Sequence, residues 1–132
     1  MGKFEQALKD YYAILEIDNN FLYAFHGIGF AYYFLNKYDE ALYNFRRVTR
    51  IDSKHFNAYL MIVIIFIERG ELHESLNWIN HLIEINPYSI LVYEIRAEVF
   101  GILAESAEPP RDSYYRSRAL QDEEMVLRLG NR

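Results

Sequence analysis

Residues 22–55 read LYAFHGIGFAYYFLNKYDEALYNFRRVTRIDSKH. Phe25, Ile28, Gly29 and Tyr32 recur at three- and four-residue steps, and so do Ala41, Leu42, Phe45, Val48 and Ile51. Such steps draw one apolar stripe along a helix, whereas a half-buried strand would alternate. Asn36 lies between the two stripes, and its residue type tolerates the left-handed backbone that reverses a chain after a helix. The stretch therefore predicts two antiparallel helices joined by a short turn. Gly29 and Ala41 are small enough to let them approach closely, with Tyr32 and Phe45 filling the space beside them.

Working outward, the pattern returns when the chain is shifted by 34 residues. Gly2, Asn36 and Gly70 fall together, all types that accept a left-handed turn. Phe4, Tyr38 and Leu72 follow, then Ala7, Ala41 and Ser75, then Leu8, Leu42 and Leu76. Tyr11, Phe45 and Ile79 share an offset, as do Ile17, Ile51 and Ile85. Asp18, Asp52 and Asn86 close each unit, and Pro87 stands where Asn19 and Ser53 stand. A fixed lag of this size marks repeats that bury their apolar faces by stacking.

A 34-residue helix–turn–helix with an aromatic, a large–small pair, a second aromatic, then Ala and Phe resembles the tetratricopeptide repeat. Phe25, Ile28–Gly29, Tyr32, Ala41 and Phe45 carry the resemblance in residues 22–55. Tyr59, Ile62–Val63, Phe66, Ser75, Ile79 and Pro87 carry it in residues 56–89, with Val63 and Ser75 as looser fits. A half repeat at 90–104 has Tyr93, Arg96–Ala97 and Phe100, where Arg96 departs from the usual aliphatic residue. The resemblance implies an all-α, right-handed superhelical solenoid of antiparallel helix pairs. Residues 1–104 would form it, beginning with a half repeat at 1–21. Residues 105–132 would add a proline-containing linker and a divergent C-terminal helix.

Both ends depart from the period. The first unit opens at its turn, so a helix that would pack on Phe4, Leu8 and Tyr11 is missing. A bare apolar edge is expected to belong to a fragment of a longer solenoid or to meet another subunit, the alternative being a helix that caps the array. At the other end the period would place a helix across 106–119, but Pro109 and Pro110 stand at its start. All 14 isoleucines precede residue 103, whereas the last 28 residues carry five arginines and no isoleucine. Residues 113–129 still suit a helix. Arg118–Asp122 and Glu124–Arg128 have favourable four-residue spacing, and Tyr115, Ala119, Val126 and Leu129 lie near one face. We expect a capping helix on the last repeat, with docking into another copy as the alternative.

Composition narrows the function classes. The 132 residues are 52% hydrophobic and 17% aromatic, which excludes a disordered chain. A net charge of −5 argues against a phosphate-backbone binder, and 34 rather than 35 residues per repeat argues against the RNA-reading helical repeats. With no cysteine there is no disulfide, thiol nucleophile or thiolate metal site. The longest apolar run, residues 59–67, is about half of a membrane-spanning helix. No signal segment opens the chain, so a cytoplasmic protein without membrane contact is expected. The four histidines, His26, His55, His73 and His81, have no metal-type partner at helical spacing. No catalytic or nucleotide-binding motif occurs, and neither enzyme activity nor a cofactor is expected.

What the resemblance implies about binding is a concave groove lined by the first helix of each repeat. Carried onto this chain, that lining is Tyr23, His26, Gly27, Phe30, Tyr33 and Phe34, then Asn57, Leu60, Met61, Ile64 and Ile67, with Glu94 further on. It is apolar and aromatic with an acidic edge. It lacks the Lys, Arg and Asn cluster with which some family members clamp the carboxylate end of chaperone tails, because His26, Gly27, Asn57 and Met61 supply no permanent positive charge. The run from Tyr59 to Ile67 is apolar on every side, so Leu60, Ile64 and Ile67 are expected to be covered. The expectation is a protein-interaction scaffold that holds an apolar or amphipathic partner segment, with some preference for basic character. The alternatives are a homo-oligomer and a regulatory or targeting part of a larger enzyme.

Overall fold

A computed structural model describes residues 2–131, so Met1 and Arg132, the outer limits of the two expected segments, lie outside it. Among the described residues the chain is all-α. The helices are α1 (Lys3–Ile17), α2 (Leu22–Phe34), α3 (Tyr38–Ile51), α4 (Phe56–Glu68), α5 (Leu72–Ile85), α6 (Ile90–Ser106) and α7 (Arg111–Gly130). They pack in antiparallel pairs. Two compact units divide the chain, one through Ile65 and one from Phe66.

The 34-residue period is visible in individual hydrogen bonds. Asn36 and Gly70 adopt positive φ, 60° and 75°. At each, the next residue closes the turn: Lys37 N–H donates to the Tyr32 carbonyl and Glu71 N–H to the Phe66 carbonyl, both at 2.9 Å. Gly2 stands at the same offset but is extended, at φ −109°, because no described helix ends before it. The unit ends repeat as well. The Asp18, Asp52 and Asn86 side chains accept the N–H two residues on, from Asn20, Lys54 and Tyr88, at 3.1, 3.0 and 3.0 Å. Ahead of α2 and α6, which have no side-chain cap, these local turns lead into the helix. Tyr59 Oη then donates to the Ser53 carbonyl and Tyr93 Oη to the Pro87 carbonyl, at 3.1 and 2.9 Å, anchoring α4 and α6 at their starts.

In the first unit α2 packs between α1 and α3. Ile28, Phe45 and Val48 are fully buried. A Cβ on Gly29 would lie 2.8 Å from the Phe45 ring, so only glycine permits this helix spacing. Gly27 does the same toward α1, where an added Cβ would collide with the Tyr11 ring.

In the second unit α6 packs on α5 and, more extensively, on α7. Phe66 of α4 stacks with Trp78 of α5 at 6.5 Å between centroids. Arg96 forms a two-pronged ion pair with Asp122, its Nε donating to Oδ2 at 2.9 Å and its Nη2 to Oδ1 at 2.7 Å. The remaining Nη1 donates to Asn80 Oδ1 at 3.2 Å. Asp122 therefore does not pair with Arg118, the partner that helical spacing suggested; both carboxylate oxygens are already taken by Arg96. Arg118 instead lies over the Phe100 ring, 5.3 Å from its centroid. The C-terminal helix begins at Arg111, just after the two prolines and two residues before the expected start. Its last proline serves as the helix entry, where a missing N–H is harmless.

Candidate functional site

The residues expected to line a groove divide between the two units. In the first unit, Tyr23, His26, Phe30 and Phe34 come together on one face of α2, and α1 contributes Phe4, Ala7 and Tyr11 opposite them. The space between has a volume of about 440 Å³. Phe4 stacks on Phe34 at 5.2 Å and Phe30 on Phe34 at 6.3 Å, making an aromatic wall. Tyr23 and Phe34 remain 68% and 54% exposed at its mouth. Tyr33 stands beside this groove, edge-on to Phe34 at 5.2 Å.

His26 is the polar point of that face. Its ring lies 4.9 Å from Phe30, 5.8 Å from Phe45 and 5.2 Å from His55. Burial among these rings, and then the neighbouring His55 charge, lower its pKa from the ordinary 6.5. The imidazole is therefore neutral at pH 7. Its Nε2 is buried and has no hydrogen-bond partner among the described residues. His55 serves a structural purpose, its Nδ1 accepting the Ala58 N–H at 3.1 Å at the start of α4. On another face of this unit the Tyr12 and Tyr32 hydroxyls meet at 3.1 Å. Burial and that contact push the Tyr12 pKa up to about 12, which keeps the phenol protonated.

Along α4, Asn57 is exposed and Leu60 and Ile64 are half-buried, one open stripe at helical spacing. Met61 is only 8% exposed and belongs to the buried side of the helix with Ile62 and Ile65. Ile67, in the second unit, is half-buried. Glu94 is exposed on α6, at the rim of a second groove formed with α7. The α1 contribution was not read from the sequence as groove lining. Phe4 and Tyr11 looked like contacts for an absent preceding helix, and the signal that redirects them is Gly27, whose missing side chain admits the Tyr11 ring.

A sequence profile of the tetratricopeptide repeat matches residues 22–55, which span α2 and α3. Residues 22–55 therefore carry a tetratricopeptide repeat. Protein bimA of Emericella nidulans is 30% identical over 83 residues, covering 63% of this chain and 10% of that protein. The chain thus spans about a tenth of the curated relative's length. Among solved structures, MamA superposes with a TM-score of 0.80 at 15% identity, over 98% of this chain and 66% of that one. MamA from Desulfovibrio magneticus RS-1 gives 0.78 at 14% identity, over 98% and 68%. At such identities the likeness concerns the fold. Tetratricopeptide domains are in general protein–protein interaction modules, and their scaffold is typically non-catalytic. Among the described residues no group of three or more His, Asp or Glu is placed to hold a metal ion, and no helix is long and apolar enough to cross a membrane.

Proposed function

We propose that this tetratricopeptide-repeat protein is a non-catalytic scaffold, working in the cytoplasm, that seats an apolar or amphipathic segment of a partner protein between α1 and α2. One observation carries the reading: the 440 Å³ groove is walled by Phe4, Tyr11, Tyr23, Phe30 and Phe34 around a histidine with an unmet hydrogen bond. Aromatic walls supply buried area to a ligand, and a single unsatisfied polar atom supplies orientation. Asn57, Leu60 and Ile64 on α4 would extend the apolar surface within the same unit. The array of hairpins would continue the right-handed solenoid of the family.

The test is a titration of a neutral amphipathic peptide with a Leu/Phe face into the full chain, followed by NMR. Resonances of His26, Phe30 and Phe34 should shift. Tyr23→Asp with Phe34→Asp, both exposed positions, should weaken binding about tenfold by placing carboxylates at the mouth. Unchanged affinity in that double variant would remove the groove from the proposal.

A second reading, self-assembly, is favoured by α1. No residue of that helix is buried, and Ile17, Tyr12 and Ile14 are 90%, 45% and 36% exposed. Light scattering over a concentration series separates the two readings, since an interaction module for another protein keeps the monomer mass.

A further inference from the structure

The second unit holds a groove of its own, between α6 and α7, with a volume of about 640 Å³. Its floor is apolar: Ala97, Gly101 and Ile102 come from α6, and Val126 and Leu127 from α7. Ile102 and Leu127 are 40% and 67% exposed, large aliphatic surface that water would otherwise cover. Gly101 opens the floor further, because a Cβ added there would meet nothing within 4 Å.

The rim has one sign of charge. Glu94, Glu98 and Glu105 line it along α6 and Glu123 along α7. All four are exposed, and among the described residues no lysine or arginine pairs with any of them. Four arginines of this unit have partners elsewhere: Arg96 with Asp122, Arg69 with Glu71, Arg116 with Asp112 and Arg118 over Phe100. From Glu94 to Glu105 the groove runs about three helical turns, near 16 Å. Like charges at this spacing repel one another, and a cationic ligand relieves that repulsion while its apolar face covers the floor.

We propose that this groove binds a basic amphipathic helix of a partner protein, about three turns long, with an aliphatic stripe flanked by Lys or Arg. The aliphatic stripe lies on Ala97, Gly101, Ile102 and Leu127, and the flanking cations meet the four glutamates. The small residues Ala97 and Gly101, one turn apart on α6, let the partner helix approach closely. This surface is separate from the α1–α2 groove and does not depend on it.

The experiment uses the full chain and two labelled peptides with the same leucine stripe, one flanked by lysines and the other by glutamates, read by fluorescence anisotropy. The lysine peptide is expected to bind about tenfold or more tightly than the glutamate peptide, and to weaken several-fold from about 50 to about 500 mM salt. Glu94→Lys with Glu98→Lys alters only exposed side chains and should reverse the preference. Gly101→Leu should weaken the lysine peptide by filling the floor. Equal affinity for the two peptides overturns the proposal, and so does undiminished lysine-peptide binding in the charge-reversed variant. A full-length dimer that Gly101→Leu turns into a monomer also overturns it, by showing that a second copy occupies the groove.

Discussion

The α2–α3 hairpin and the α6–α7 hairpin begin from the same repeat positions and close by different chemistry. In the first, Ile28–Gly29 faces a fully buried Phe45, and the absence of one Cβ sets the distance between the helices. In the second, two repeat lengths on, Arg96–Ala97 stands at those positions, and the guanidinium grips Asp122 of α7 while holding Asn80 of α5. An apolar contact needs only the right shape. A buried charge needs its partner, since the side chains of Arg96 and Asp122 are 16% and 4% exposed and neither is well solvated. The repeat frame thus admits a polar closure where the opposing helix carries a matching carboxylate.

The largest expected effect lies in the apolar closure. Phe45→Ala empties a site touched by Gly29, His26 and Phe30, and should cost about 3–5 kcal/mol in urea unfolding followed by circular dichroism. If the loss were under about 1 kcal/mol, shape would not be what closes that hairpin.

The polar closure comes next. Asp122→Ala strands the Arg96 charge and should cost about 3 kcal/mol, whereas Arg96→Met with Asp122→Leu should stay within about 1 kcal/mol of the parent. Trp78, the chain's single tryptophan, lies on α5 against Phe66 and reports the unfolding transition by fluorescence. A double variant as damaged as the single one would show that the ion pair contributes more than the avoidance of a lone charge.

The smallest effect is one of pH, and it distinguishes the first unit. The folded chain holds the His26 pKa below 6.5, so below that value the unfolded chain takes up the proton first. Stability from this group is fully present above pH 6.5 and is lost as pH falls through the lowered folded value. Melting followed by circular dichroism should therefore show a lower Tm at about pH 5.5 than at about pH 7.5, and His26→Phe should flatten that component.

Much of the fold was legible because its signals are local. Helical spacing, the turn residues Asn36 and Gly70, and the side-chain turns at Asp18, Asp52 and Asn86 each act within a few residues and return at one lag. Site detail was less legible. Helical spacing marked Phe30 and Phe34 as surface aromatics, yet it could not say that Phe4 and Tyr11 would face them across a groove. It also treated Leu60 and Met61 alike, although adjacent residues on a helix point about 100° apart and only Met61 is buried.

The sequence by itself determined that the chain makes paired helices on a 34-residue period, because helix formation, reversal and stripe placement depend on near neighbours. Tertiary structure alone decided which charges pair and which surfaces stay open. Asp122 had a local candidate four residues away, but an arginine 26 residues distant offers both prongs of its guanidinium where solvent is scarce, and that geometry wins. Glu94 was expected at an acidic groove edge, but only the tertiary structure supplied the opposite wall: α7 brings Val126 and Leu127 beside it, a placement no spacing within α6 specifies.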